Sequence, residues 1–164
     1  MATDVFSDNV FGSKDEYTLA DLRRYNQLWK AQDDMWAQAA RRTDISPTAF
    51  WILYVLYIEE ENVTQADLCE RWFFSRQTVN SAVKKLQTEG IVVLENAKEH
   101  GNVKVLKLTE AGREFVNARV KPLADADFEA FANFSPEERK LLLALMQRQL
   151  DVLQQQLQLQ ADAE

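Results

Sequence analysis

One cysteine, one histidine, three prolines and four glycines are all that the 164 residues supply of those types. A lone Cys69 excludes an internal disulfide and fits a reducing compartment. His100 is the only imidazole, and no acid or serine stands at a defined spacing from it, so neither a nucleophile–base pair nor a general acid–base pair is readable. Metal-ligand spacings and phosphate-binding glycine loops are missing as well. The expectation is a protein that is not an enzyme and holds no metal or cofactor. Long apolar runs are also absent. The longest, residues 49–58, falls far short of the roughly 18 that a membrane span needs, and no basic, apolar leader opens the chain. The reading is a cytoplasmic protein.

What is present describes one globular domain with a real core: 46% hydrophobic and 27% charged residues. The formal charge of -7 is spread unevenly. Residues 123–164 hold three basic and eight acidic side chains, whereas residues 64–109 hold seven basic against five acidic. Local field governs contact with a polyanion, so the middle of the chain is where such contact is expected.

That middle reads as helix, tight turn, helix over residues 64–90. Thr64 stands as a cap with Asp67 three residues on, Ser75 caps a second helix, and Gly90 stops it. In the second helix Val79, Ala82, Val83 and Leu86 recur at three- and four-residue spacing and face inward. Ser75, Arg76, Gln77, Thr78, Asn80, Ser81, Lys84 and Lys85 are left outward. Gln and Asn can pair with adenine edges, Arg with guanine, and hydroxyls and Lys with phosphates. From Ser75 to Thr88 there are three cations and no acid. An ordinary amphipathic surface helix is the plainer alternative for the same pattern.

Residues 91–95 then read as a strand, 96–102 as a polar connection, and 103–108 as a second strand. TQADLCERW, SRQTVNSAVKKLQTEGIVVLE and KLTEAGREF together resemble the MarR family of transcriptional regulators, and the helix layout is similar from residue 19 to 160. The resemblance implies a mainly α fold with a small β-hairpin: a winged helix-turn-helix between N- and C-terminal dimerisation helices. It implies double-stranded DNA as partner, a homodimer on a palindromic operator, and a repressor that a small aromatic effector releases. Arg76, Gln77, Thr78, Asn80 and Ser81 would read bases, and Thr64, Gln65, Lys84 and Lys85 would touch backbone. Family wings commonly carry an acidic residue and an Arg where this chain has His100 and Asn102. Lys98 and Lys104 are the remaining wing cations, and Lys lacks the planar fork that suits a narrow groove.

The organisation expected around this lobe is a mobile arm over residues 1–18, a dimerisation helix in 19–46, the winged lobe in 47–115 and C-terminal dimerisation helices in 116–164. Ser46 and Pro47 open a helix apolar on nearly every face, the expected centre of the core. Thr109 caps a later helix that Pro122 should kink. Ser135, Pro136 and Glu138 start the last one, where Leu143, Met146, Leu150, Leu153 and Leu157 form a seam that asks for a partner helix, on a second subunit or on the first helix of its own chain.

Tyr25, Trp29, Trp36, Trp51 and Tyr54 fall on the two helices that flank the effector cleft in the resembling family, and are candidates for an aromatic pocket or for plain core. Trp72, Phe73 and Phe74 should wedge the two helices of the motif. Cys69 looks inward as a structural thiol. A thiol-based sensor, and a winged-helix interaction module without DNA binding, are the two rival functions.

Overall fold

Ser46 and Pro47 begin the central helix as their spacing predicts: the Ser46 side chain accepts the Ala49 N–H at 3.2 Å, and Pro47, lacking an N–H, sits where none is needed. The computed structural model describes residues 19–59, 63–72, 74–97 and 103–161. The expected arm over residues 1–18 lies outside them. In order come α1 (Leu19–Arg41), α2 (Pro47–Ile58), α3 (Gln65–Glu70), α4 (Arg76–Thr88), β1 (Val92–Asn96), β2 (Lys104–Leu108), α5 (Glu110–Arg119), α6 (Lys121–Ala132) and α7 (Pro136–Ala161). The fold is mostly helical with one antiparallel hairpin, the fold class expected. No described helix is long and apolar enough to cross a membrane.

The uninterrupted apolar sequence of α2 makes it the hub. Phe50, Ile52, Leu53 and Val55 are wholly buried, and α1, α4, α5, α6 and β2 all pack on α2. Each such side chain contributes roughly 1.5–3 kcal/mol through the area it removes from water. From α4 come Val79, Ala82, Val83 and Leu86, the inward set read from sequence.

The strands start one residue later than the alternation suggested, for a local reason. Gly90 takes φ +71°, its N–H bonds the Gln87 carbonyl at 3.0 Å, and the Ile91 N–H bonds the Leu86 carbonyl at 2.9 Å. Ile91 is therefore committed to closing α4, and pairing begins at Val92 opposite Leu108. Thr109 then caps α5, and its N–H also bonds the Ile91 carbonyl at 3.1 Å.

Pro122 ends the helix begun at Glu110 instead of bending it. The break falls at Val120, which closes α5 and opens α6, because the proline ring crowds the preceding turn and offers no N–H. Ser135 and Glu138 form the predicted reciprocal cap of α7, at 2.7 and 3.2 Å, and those bonds hold the Glu138 carboxyl below its usual range. Beyond that cap α7 leaves its seam uncovered. Leu143, Met146, Leu150, Leu153 and Leu157 are all exposed, and Tyr25, donating to Gln149 Oε1 at 2.7 Å, ties α7 to α1 of the same chain.

Candidate nucleic-acid interface

The recognition face begins with two caps that fix α4 relative to α3. Thr64 caps α3, the Phe74 N–H returns to the Leu68 carbonyl at 3.2 Å, and the Ser75 side chain accepts the Thr78 N–H at 3.2 Å to start α4. Leu68 is wholly buried beneath the turn, with Trp72 and Phe74 half-buried against the same core; Phe73 lies outside the described residues.

Ser75, Arg76, Gln77, Thr78, Asn80, Ser81, Lys84 and Lys85 are all exposed. At about 100° per residue, Gln77, Ser81 and Lys84 form the crown of α4 opposite its buried side. Arg76 and Asn80 lie on the flank toward α3, where with Gln65, Cys69 and Glu70 they line a recess of about 290 Å³. Thr78 and Lys85 lie on the flank toward α2. Arg76, Gln77, Asn80, Ser81 and Lys84 make no side-chain hydrogen bond or ion pair with another described residue. Ser75 and Thr78 share a hydrogen across 2.6 Å, which leaves one of their two hydroxyl hydrogens to give. Lys85 stands 3.8 Å from Glu89, an exposed pair worth little.

Thr64 differs from its expected role. Its hydroxyl donates to Asp67 Oδ2 at 2.7 Å, its N–H bonds the same oxygen at 2.8 Å, and its oxygen accepts the Asp67 N–H at 3.0 Å. Both donors of Thr64 are spent on the cap, so neither remains for a phosphate. Gln65, half-buried, holds its Oε1 enclosed without a partner among the described residues. The Thr64 bonds hold the Asp67 carboxyl below its ordinary range. A depressed folded value stabilises the fold above the unfolded value near 3.9 and loses that contribution as pH falls through the folded one. Asp67→Asn should therefore flatten the acid limb of a thermal-stability profile below about pH 4. An unchanged limb would assign acid sensitivity to other carboxylates.

The hairpin carries a feature the sequence reading missed. The Leu106 N–H bonds the Val63 carbonyl at 2.8 Å and Thr64 bridges Val105, so the chain entering α3 lies alongside β2. Val105 and Leu106 are both buried although consecutive strand residues point to opposite faces, so β2 is covered on both sides at this point. Lys104 is exposed at the start of β2. Lys98, His100 and Asn102 lie outside the described residues.

The five aromatics divide. Trp36, Trp51 and Tyr54 meet, with ring centroids 4.9, 5.8 and 5.2 Å apart, and Phe50 joins them. Tyr25 and Trp29 sit two or more turns earlier on α1 and are exposed, so a single protomer does not gather all five. The reason is reach: α2 is 12 residues and covers only part of the 23-residue α1. Tyr54 donates to Asp127 Oδ2 at 2.6 Å, and burial, then this bond, push its phenol well above the ordinary range. Tyr57 donates to Asp125 Oδ1 at 3.2 Å, so α2 is bolted to α6 at two points. Cys69 is half-buried against the core.

A sequence model of the MarR family matches residues 43–101, the stretch holding α2, the helix-turn-helix and β1. An uncharacterised HTH-type transcriptional regulator of Bacillus subtilis, YdgJ, is 30% identical over 106 residues, covering 65% of this chain and 64% of its own length, so the chain spans just under two thirds of that relative. Among solved structures, NMB1585, a MarR family regulator from Neisseria meningitidis, superposes with a TM-score of 0.69 at 20% identity, covering 84% of this chain and 96% of its own. Staphylococcus aureus MepR in its DNA complex superposes with a TM-score of 0.62 at 19% identity over 86% of this chain and 99% of its own. The matched residues fall on α2, the capped helix pair and β1, and over that stretch the chain is similar to the MarR family.

Proposed function

We propose that this protein is a DNA-binding transcriptional regulator that acts as a homodimer on a palindromic operator in the cytoplasm. The observation that carries the reading is the exposed face of α4: three cations, no acid, and amide, hydroxyl and guanidinium groups left without partners among the described residues. Such a face gives up water readily only to something that pairs with every donor, and base edges do so. Arg76, Gln77, Thr78, Asn80 and Ser81 read bases, while Lys84, Lys85 and Lys104 hold phosphates. The family relative solved on DNA shares this fold, in keeping with the assignment.

The second subunit enters through the uncovered apolar seam of α7 and the exposed Leu22, Leu28 and Trp29 of α1. Two-fold pairing there presents two α4 helices to successive major-groove faces about 34 Å apart. Regulation follows from the same arrangement. An aromatic effector bound beside half-buried Trp36 and Trp51 favours one lobe spacing, and lowers operator affinity by the difference in its affinity for the two spacings. The protein then works as a ligand-released repressor.

Arg76→Ala should weaken binding to a duplex selected from genomic fragments by about 1–3 kcal/mol and relax preference at the base it reads. Fluorescence anisotropy on the selected duplex and on single-base variants measures both. Equal affinity of wild type for selected and scrambled duplexes, with no dependence on salt, would instead place the protein among winged-helix interaction modules.

A further inference from the structure

An α-helix with its side chains is about as wide as the major groove, so when α4 lies in that groove a phosphate strand must run along each of its flanks. The two flanks differ. Toward α3 the recess beside Arg76 and Asn80 includes the carboxylate of Glu70, which repels phosphate. Toward α2 an open groove of about 410 Å³ runs between Ser46 and Thr48 on one wall and Gln77, Thr78, Ser81 and Lys85 on the other. Among the described residues no acidic side chain lines it. Ser46 accepts the Ala49 N–H and keeps its own hydrogen to donate. Thr48 is half-buried, and its hydroxyl has no partner among the described residues.

We infer that this groove seats one phosphate strand of the duplex, with Thr48 of α2 as a backbone contact that the recognition helix itself cannot supply. The inference rests on the DNA-binding reading and adds a second element to its interface. Five of the seven lining residues, Ala82 among them, stand on α4 and follow it into the major groove, so the strand beside them has to cross the space before α2. Contact from the α2 wall is to sugar and phosphate, and carries no base information.

A charge series at residue 48 tests it on the full-length protein, with a fluorescein-labelled selected duplex and a scrambled duplex of the same composition. Thr48→Glu should weaken both by about tenfold, and Thr48→Lys should tighten both while raising the salt slope by about 1. Glu in the first turn of a helix is favourable to the fold, so a lower affinity in that variant does not report unfolding; a thermal melt checks this. Lys84→Glu on the crown is the companion variant. If Lys84→Glu abolishes binding while affinity is indifferent to residue 48, the groove assignment is overturned and the DNA reading stands. An effect confined to the selected duplex also overturns it, because Thr48 would then be reading sequence. If wild type binds neither duplex at low salt, both readings fall.

Discussion

Glutamate at Leu150 and Leu153 together should convert the proposed dimer to a folded monomer and lower affinity for the selected duplex by a factor on the order of 10²–10⁴. Both side chains are exposed in the single chain, at 41% and 50%, so the substitutions create no cavity and bury no charge within the protomer. In a two-fold interface the same carboxylates meet their own copies across the axis, unpaired and stripped of water, which costs several kcal/mol. Affinity then falls because the second reading head no longer binds at the high local concentration set by the first. Light scattering after gel filtration gives the mass, and anisotropy on the selected duplex gives the affinity. The monomer should keep its weak, salt-sensitive binding to scrambled DNA, since α4 is untouched. Wild type eluting as a monomer, or a double variant that remains dimeric, would remove α7 from the interface.

Gly112→Ala should be the most damaging small substitution in the winged lobe. A methyl group at that position would lie 2.0 Å from the Ile91 carbonyl oxygen and 3.2 Å from Thr109 Oγ1. The obstacle is backbone, and it is held in place: the Ile91 carbonyl accepts the Thr109 N–H, while the Ile91 N–H closes α4. Relief requires α5 to move off the strand junction, uncovering Val92 and Val116, which are nearly wholly buried. A loss on the order of 3 kcal/mol follows, or roughly 10 °C in melting temperature for a chain of this size. Gly90→Ala is the control. Open space surrounds that position, so only the positive φ opposes the change, at about 1 kcal/mol. Equal melting temperatures for the two variants would mean that α5 yields freely at this contact.

The parts of this molecule that were legible in sequence are those decided within four or five residues. Thr64 with Asp67, Ser75 with Thr78, and Ser135 with Glu138 each settle a helix start by a bond between near neighbours, and Gly90 settles a stop in the same way. The outward face of α4 followed from its inward one. Pairing of Val63 and Thr64 with β2 was not legible, because two residues show no alternation and their partners lie far along the chain. Tyr25, Trp29 and Trp36 stand at helical spacing on α1, but spacing could not say that α2 reaches only the last of them. Thr48 was hidden for another reason: it opens a helix whose composition speaks only of core. The thiol of Cys69 was read as structural, and it is half-buried against that core.

Val120 is enclosed on all sides, yet it is the residue where α5 gives way to α6. At 1.5 Å per residue, the 12 residues of α6 make an arm about 18 Å long, and tilting it by about 10° at its root would carry the far end about 3 Å while straining the Tyr57–Asp125 and Tyr54–Asp127 bonds that hold it to α2. That displacement is close to the rise of one base pair. Because the root is packed in the interior, a lost or added methyl group next to Val120 would reset the angle, far from any surface that meets another molecule. On the proposed dimer, hydrophobic substitutions there should therefore change the preferred half-site spacing, read by anisotropy on duplexes of graded spacing, before they change how tightly any base is held.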